Sequence, residues 1–496
     1  MTGEHLTDLG NARRLVAHAE GLIHFDHILR KWWAWDERRW PLDETGQVER
    51  LAKEAVAKIY AEAAQSPSDE DRKAIAKWAQ RSESRDRIRA MIDLAASEPG
   101  VPIRTEELDQ DPWLLTTLNG TVGLRDGKLR GHDPEDLLTR LVPTEFKPDV
   151  RSELWERALE RVLPDPEVRA FIQRAVGYSL TGEIGEQVLF LLWGAGANGK
   201  TTFIETLLGL LGDFAVKTPA ETLLAKRDTG IPNDVAKLRG ARFIAAVEAE
   251  EGRRLAEARV KELTGGDTVA ARFMRGEWFT FRLQGKLWLA SNHRPVVRGT
   301  DHAMWRRIRL IPFTVTIPEE ERDPHLGEKL RAEHVGILSW AVEGCLAWQR
   351  DGLCAPEAVR VATDDYRAEQ DVLGGFLSES CVVGEAFRVA SADLYRAYKA
   401  WCDSSGEKPI RQRDLGLRLR ERGFRPDREG KSRERGWLGL GLRATWADAE
   451  GPLTADGRRF PYNQNHSAHE SENHETVSAS GQCPPPEQDD WSKGVM

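Results

Sequence analysis

Val188-Leu189-Phe190-Leu191-Leu192-Trp193 runs straight into Gly194-Ala195-Gly196-Ala197-Asn198-Gly199-Lys200-Thr201, and this stretch decides the fold. Its first six residues are an apolar run of strand length, and residues 202–211 after it are patterned as a helix. G-x-x-x-x-G-K-T between a strand and a helix is a phosphate-binding loop in the setting that the motif requires. The glycines let backbone N–H groups turn inward around phosphate oxygens, and the helix N-terminus adds positive potential. The candidate nucleotide-binding residues are therefore Gly194, Ala195, Gly196, Ala197, Asn198, Gly199, Lys200, Thr201 and Thr202. Lys200 is expected to reach the terminal phosphates of ATP, and Thr201 to ligate Mg²⁺. A glycine-rich turn by itself is only a tight turn; the Lys-Thr pair and the flanking elements are what make it a nucleotide loop.

Such a loop needs a carboxylate at the end of a neighbouring strand. Ala241-Arg242-Phe243-Ile244-Ala245-Ala246-Val247 reads as a buried strand that ends abruptly in Glu248-Ala249-Glu250-Glu251. In an extended chain Glu248 and Glu250 share a face, so both are candidate catalytic carboxylates, with Glu248 the candidate second Mg²⁺ ligand. Taken alone, the acidic run would be the start of a solvated helix. A further run, Lys286-Leu287-Trp288-Leu289-Ala290, ends in Ser291-Asn292. Asn292 at a strand end can sense a γ-phosphate or place water, although in isolation such an Asn is a cap or turn residue. Trp305-Arg306-Arg307-Ile308-Arg309 follows; an arginine offers a planar fork to phosphate oxygens. Between these elements, residues 268–274 and 278–283 read as a hairpin turning at Arg275-Gly276-Glu277. From Val188 to about Phe313, short apolar runs alternate with helical stretches, which predicts an α/β core.

These elements, in this order, resemble the superfamily 3 helicases, and more closely the helicase part of phage and plasmid primase-helicases, related to the poxvirus primase-helicase. Lys261-Glu262-Leu263-Thr264-Gly265-Gly266-Asp267, Ala290-Ser291-Asn292-His293-Arg294-Pro295 and Trp305-Arg306-Arg307-Ile308 carry the resemblance along with the loop. Leu118-Asn119-Gly120-Thr121-Val122-Gly123-Leu124 resembles that family's upstream accessory region, and the opening Thr7-Asp8-Leu9-Gly10-Asn11-Ala12 resembles phage proteins described as DNA primases. The resemblance implies an AAA+-like P-loop ATPase that uses ATP and Mg²⁺. Lys200, Glu248, Glu250 and Asn292 would be catalytic, and either Arg306 or Arg307 would be the arginine finger. It implies a homo-oligomeric ring, a hexamer, translocating 3′ to 5′ on single-stranded DNA and unwinding forked DNA, with a separate primase or polymerase as a possible partner. The hairpin would hold DNA through Lys261, Arg272 and Arg275. A phage or plasmid protein of this kind would act in the cytoplasm of a bacterial host. Two rival readings use the same residues: a replication initiator or loader that hydrolyses ATP without unwinding, and a non-catalytic DNA-binding protein. A self-contained primase is a third.

Outward from the core, the chain of 496 residues divides into an accessory region at 1–150, helical with small hairpins near 115–130; an ATPase domain at 151–370; a basic module at 371–445; and a disordered tail at 446–496. Trp32, Trp33, Trp35 and Trp40 read as a small core rather than base-stacking residues. Asp109-Gln110-Asp111 matches the D-x-D of primases, but too little chain lies upstream for a polymerising domain, so it reads as structural. The five cysteines form no CxxC pair, no apolar run is long enough for a bilayer span, and no membrane partner is expected. His466, His469 and His474 are spaced too loosely for a metal site. Residues 408–443 hold twelve Lys and Arg against five Asp and Glu, a local charge of +7. A helix starting at Ser391 as its cap, a second helix over 413–420 and a glycine-rich strand around 437–442 predict a winged-helix-like DNA-binding domain. In it Arg411, Arg413, Arg418 and Arg420 face phosphates. The net charge of −9 thus excludes only indiscriminate coating of nucleic acid.

Overall fold

The computed structural model describes residues 4–225, 233–248, 250–272, 278–297, 302–429 and 434–443. The Arg275 turn, the histidines of the tail and the tail itself lie outside the described residues. The chain forms two units. Among the described residues, one takes those up to Arg294 together with Arg309–Val359; the other takes Pro295–Ile308 together with those from Arg360 to Arg443.

The first unit opens with α1 (Asp8–Ala19), a hairpin of β1 (Ile23–Asp26) and β2 (Lys31–Ala34), then α2 (Gln47–Gln65), α3 (Asp69–Ser82) and α4 (Arg85–Ala95). Thr7 caps α1 by accepting the Gly10 N–H at 3.1 Å. Val48, Ala52, Ala55, Val56 and Ile59 form the buried stripe of α2, packed with Ala12 and Leu15 of α1. The mainly helical character expected of residues 1–100 is what forms; the hairpin within it is not legible, because four-residue strands leave too short an alternation to read. Trp33 and Trp40 fill a small core with Ile103 and Leu108, and Trp35 packs against it. An antiparallel meander follows: β3 (Leu114–Thr117), β4 (Gly120–Gly123) and β5 (Lys128–Arg130), turning at the two Gly-containing turns. The D-x-D carboxylates are occupied locally. Asp109 accepts the Thr139 N–H and Asp111 the Trp113 N–H, both at 2.8 Å.

The core follows in chain order as α5 (Glu153–Val162), α6 (Pro166–Leu180), β6 (Leu189–Trp193), α7 (Lys200–Leu211), β7 (Ala215–Lys217), α8 (Asn233–Ala236), β8 (Phe243–Glu248), α9 (Glu257–Gly265), β9 (Thr268–Arg272), β10 (Trp278–Arg282), β11 (Lys286–Ser291), α10 (His302–Trp305), β12 (Ile308–Pro312), α11 (Leu326–Ala332) and α12 (His334–Asp351). Five strands make one sheet in the order β12-β6-β11-β8-β7, with β6/β11, β11/β8 and β8/β7 parallel. Continuous apolar runs fit strands covered on both faces. Trp288 of β11 lies at the centre, its ring 4.3 Å from that of Phe190 and 5.4 Å from that of Phe243. On one flank α6 and α12 meet glycine to backbone: a Cβ on Gly177 would strike the backbone of Gly344 and Cys345, and one on Gly344 would strike Gln173. At the amino end of the sheet two buried basic side chains clamp the meander and the loop after α6. Arg242 donates to the Leu114 and Leu180 carbonyls at 2.9 and 2.8 Å, and Lys286 donates to those of Glu183 and Gln284 at 3.0 and 3.1 Å.

Most of the second unit is C-terminal: α13 (Glu357–Glu369, whose first turn still belongs to the first unit), α14 (Val372–Ser380), β13 (Cys381–Ala390), α15 (Ser391–Ser404), α16 (Gln412–Glu421), β14 (Arg425–Glu429) and β15 (Glu434–Leu442). The three strands pair antiparallel in the order β13-β15-β14 over a core containing Phe376, Tyr398, Trp401, Leu415, Leu419, Trp437 and Leu440. Ser391 is not the cap of α15. It is the first helical residue, and Ala390 holds the cap position without a side-chain bond.

Candidate functional site

Strand register gathers residues of the candidate phosphate-binding site. Ser291 of β11 stands opposite Trp193 of β6 on one side and opposite Glu248 of β8 on the other. Three neighbouring strands therefore end level, and Gly194, Asn292 and Glu248 share the carboxyl edge of the sheet. Ligands of open parallel sheets bind outside that edge.

Lys200 is the first residue of α7 and is only 5% exposed. Its Nζ donates to the Gly194 carbonyl at 2.7 Å, to Asn198 Oδ1 at 2.9 Å and to Asn292 Oδ1 at 3.1 Å. All three acceptors are neutral, and burial pushes the ammonium down to about 8. Asn198 also donates from Nδ2 to the Phe313 carbonyl at 3.0 Å, and the Ile317 N–H donates to the Ala197 carbonyl at 2.8 Å. The segment after β12 thus braces the loop from one side. Gly199 has φ +82°, and a Cβ there would lie 2.8 Å from Val162 of α5, so glycine is required twice over. Sequence reasoning missed Phe313 and Ile317. They act through backbone atoms, which leave no side-chain signal.

The two glutamates separate. Glu248 ends β8 and is 8% exposed, and its Oε1 accepts the Glu250 N–H at 2.7 Å. Glu250 lies beyond the strand end, exposed, with Oε2 2.8 Å from Arg253 Nη1. The two carboxylates thus have different settings: Glu248 is buried and accepts the backbone N–H two residues on, whereas Glu250 is exposed beside Arg253.

A cavity of about 890 Å³ opens beside the loop. Thr201, Thr202, Thr206 and Gly209 of α7 line it on one side, Leu159 and Val162 of α5 on another, and Ile317, Leu326 and His334 close it. Its largely apolar wall next to Thr201 suits a nucleoside attached to the phosphates. Among the described residues no cluster of three His, Cys, Asp or Glu is gathered for a metal. Mg²⁺ does not need one, since it binds through one or two protein oxygens plus substrate phosphates, and the Thr201 hydroxyl and Glu248 carboxylate fit that donor set.

Arg306 and Arg307 belong to the second unit, in the segment with Trp305, whose ring packs edge-on to Tyr366 at 5.1 Å. They differ in exposure: Arg306 is exposed, whereas Arg307 is 7% exposed and donates to the Ala303 carbonyl at 2.6 Å. The predicted hairpin is present as β9 and β10, with Arg272 opposite Trp278. Lys261 of α9 and Arg272 are both half-buried. In the second unit Arg411, Arg413 and Arg420 are exposed at or on α16, while Arg418 is half-buried on the side of Leu415 and Leu419. A groove of about 830 Å³ lies along that helix, lined by Arg413, Leu417, Arg420 and Arg435 among others.

Residues 12–164 match the family "D5 N terminal like", residues 192–307 a "Family of unknown function (DUF5906)", and residues 368–426 the family "Poxvirus D5 protein-like". The chain is 26% identical over 323 residues to "Putative helicase L207/L206" of Acanthamoeba polyphaga mimivirus, covering 60% of this chain and 34% of that protein. It is 28% identical over 329 residues to "Putative primase C962R" of African swine fever virus (isolate Warthog/Namibia/Wart80/1980), again 60% of this chain and 34% of that protein. The matched region thus spans about a third of the length of these relatives. Among solved structures, the apo structure of the NrS-1 C terminal region aligns with TM-score 0.48 and 11% identity over 88% of this chain and 99% of that one. No helix among the described residues is long and apolar enough to cross a membrane. The chain is thus similar to D5-type families in the segments before and after its five-stranded sheet, and to proteins of large DNA viruses that are named putative helicase and putative primase.

Proposed function

We propose that this chain is an ATP-hydrolysing DNA helicase of the superfamily 3 type, working in replication as a homo-oligomeric ring, a hexamer, on single-stranded and forked DNA. One observation supports the reading: Lys200 Nζ is bonded to Asn292 just past the end of β11, and Glu248 ends the neighbouring strand at the same level. The loop N–H groups and Lys200 bind the phosphates, and the apolar cavity along α7 takes the nucleoside. Mg²⁺, held by Thr201 and Glu248, would neutralise charge on the phosphates. Asn292 orients the attacking water, and Glu248 or Glu250 accepts its proton. Of the arginine pair, Arg306 is the better finger for a neighbouring subunit, because it is the exposed one.

From α14 onward the described residues of the second unit run helix, strand, helix, helix, strand, strand, an order that supports a winged-helix reading with α16 as the reading helix. Its exposed arginines also support the loader reading, in which the ATPase is retained and unwinding is not. Primer synthesis is not proposed, since both D-x-D carboxylates serve local backbone bonds. The phage or plasmid setting and a separate primase or polymerase partner rest on motif resemblance alone. The test is strand displacement on a forked substrate. Wild type is expected to unwind with ATP and Lys200→Ala to do neither hydrolysis nor unwinding. Wild type that hydrolyses ATP without displacing a strand would leave the loader, and a Lys200→Ala protein that still unwinds would sink both.

A further inference from the structure

His334, the first residue of α12, is 9% exposed, and it lines the cavity beside the nucleotide loop. Among the described residues neither of its ring nitrogens has a hydrogen-bond partner. Burial holds the imidazole below its ordinary protonation range, and the nearby Arg331 guanidinium acts in the same direction. The ring is therefore neutral at pH 7, with one nitrogen a donor and the other an open acceptor. Other polar groups of the wall are already engaged. Thr206 Oγ1 donates to the Thr202 carbonyl at 2.7 Å, Arg161 pairs with Glu321 at 2.7 Å, and Asp323 pairs with Lys329 at 2.6 Å. The place of the ring is also defined. A Cβ on Gly209 of α7 would lie 3.5 Å from His334 Cε1 and 3.9 Å from Nε2, so this edge of the imidazole faces α7 nine residues beyond Lys200. At the rise of an α-helix that is roughly 14 Å. Glycine weakens a helix interior relative to alanine. At 209, exposed and without a side chain, it leaves the ring uncovered.

We propose that His334 reads the base of the bound nucleotide, its Nε2 accepting a hydrogen bond from the six-amino group of adenine. The inference rests on the nucleotide reading of the cavity above and deepens it, by naming the group that tells one base from another. A triphosphate on the loop directs its ribose and base along α7. The base passes Leu159, Val162 and Ile317, apolar side chains that cover the faces of a flat ring and offer its edge no hydrogen bond. Its edge then meets the far end of the cavity, where the unpaired nitrogen is. With the ring proton on Nδ1, Nε2 accepts from an amino group. A base that lacks the amino group leaves the nitrogen unmet and forfeits one hydrogen bond. Selectivity of this kind comes from a buried polar group that the wrong ligand leaves unpaired. An exposed imidazole would not supply it, because water would replace the missing partner.

The test is equilibrium binding of three probes to the full-length protein. They are ATP, purine riboside triphosphate, which is ATP without its six-amino group, and inorganic tripolyphosphate, which has no nucleoside. Wild type is expected to bind ATP roughly three- to tenfold more tightly than purine riboside triphosphate, the worth of one neutral hydrogen bond. His334→Phe keeps a ring in place without an acceptor and should bind the two nucleotides alike. Gly209→Leu puts a side chain between the imidazole and the cavity and should weaken both nucleotides. Both variants should bind tripolyphosphate as wild type does and keep its melting temperature, which excludes misfolding as the cause. The proposal is overturned, and the helicase reading survives, if wild type binds the two nucleotides equally or if His334→Phe keeps the preference for ATP. Equal loss of all three probes in His334→Phe, with nucleotide binding unchanged in Gly209→Leu, overturns it as well. If wild type binds none of the three, the nucleotide reading falls with it.

Discussion

The Lys200 ammonium, among three neutral oxygens, gives up its proton near pH 8 in the nucleotide-free chain. Between about pH 8 and its ordinary value of 10.5, the folded chain holds fewer protons on this group than the unfolded chain. The cost of burying the ammonium is therefore full below pH 8 and is relieved as pH rises through that window. A triphosphate reverses the shift by supplying the missing negative charge. Nucleotide binding above pH 8 is thus expected to take up a proton and to weaken as pH rises. Titration calorimetry at pH 8.5 in two buffers of different ionisation enthalpy checks this, and equal heats in both would count against it. The glutamates give a second residue-level contrast. Glu248→Gln is expected to cut turnover by roughly 10²–10⁴-fold while ATP still binds. Glu250→Gln, at an exposed ion pair with Arg253, is expected to cost far less. Equal losses in steady-state turnover would return Glu250 to the reacting centre.

At the scale of elements, α6 and α12 touch so closely that glycine is obligatory at Gly177 and Gly344. Gly344→Ala is expected to destabilise the fold by roughly 1–3 kcal/mol through overpacking, read as a lower denaturation midpoint. An unchanged midpoint would mean that the helices can part without cost. On α16, Arg413→Ala and Arg420→Ala should each lower the slope of log affinity against log salt by about 1 on duplex DNA, whereas Arg418→Ala, half-buried, should change stability more than the slope. The elements themselves were largely legible in the sequence. The strand before Gly194, the acid-terminated strand at Glu248 and the ribbon on both sides of Arg275 each announce themselves in fewer than ten residues. What stayed hidden was set by partners distant in sequence. Phe313 and Ile317 reach the loop through backbone atoms. The turn that parts Glu250 from Glu248 depends on one side-chain bond that alternation cannot show. Pro295–Ile308 joins a unit that resumes only at Arg360, through contacts such as Trp305 on Tyr366.

For the whole molecule, the central expectation is shared sites. If Arg306 completes a neighbour's site, Arg306→Ala and Lys200→Ala proteins should each be inactive alone and regain part of the ATPase rate when mixed. Each mixed ring then contains interfaces with an intact loop facing an intact arginine. No recovery over a range of mixing ratios would place the arginine in its own subunit's site or outside catalysis. Light scattering with a non-hydrolysable ATP analogue gives the ring size independently.

β12 is short and sits between two assignments. Arg307 immediately precedes it, Phe313 immediately follows it, and the Phe313 carbonyl holds Asn198 of the nucleotide loop. In the proposed ring this strand is a push-rod of five residues. If Arg306 completes a neighbour's site, the two residues that flank this strand belong one to that arginine pair and one to the brace of this chain's own loop. A backbone paired into a sheet does not stretch, so loss of phosphate at one site would arrive at the next as a displacement.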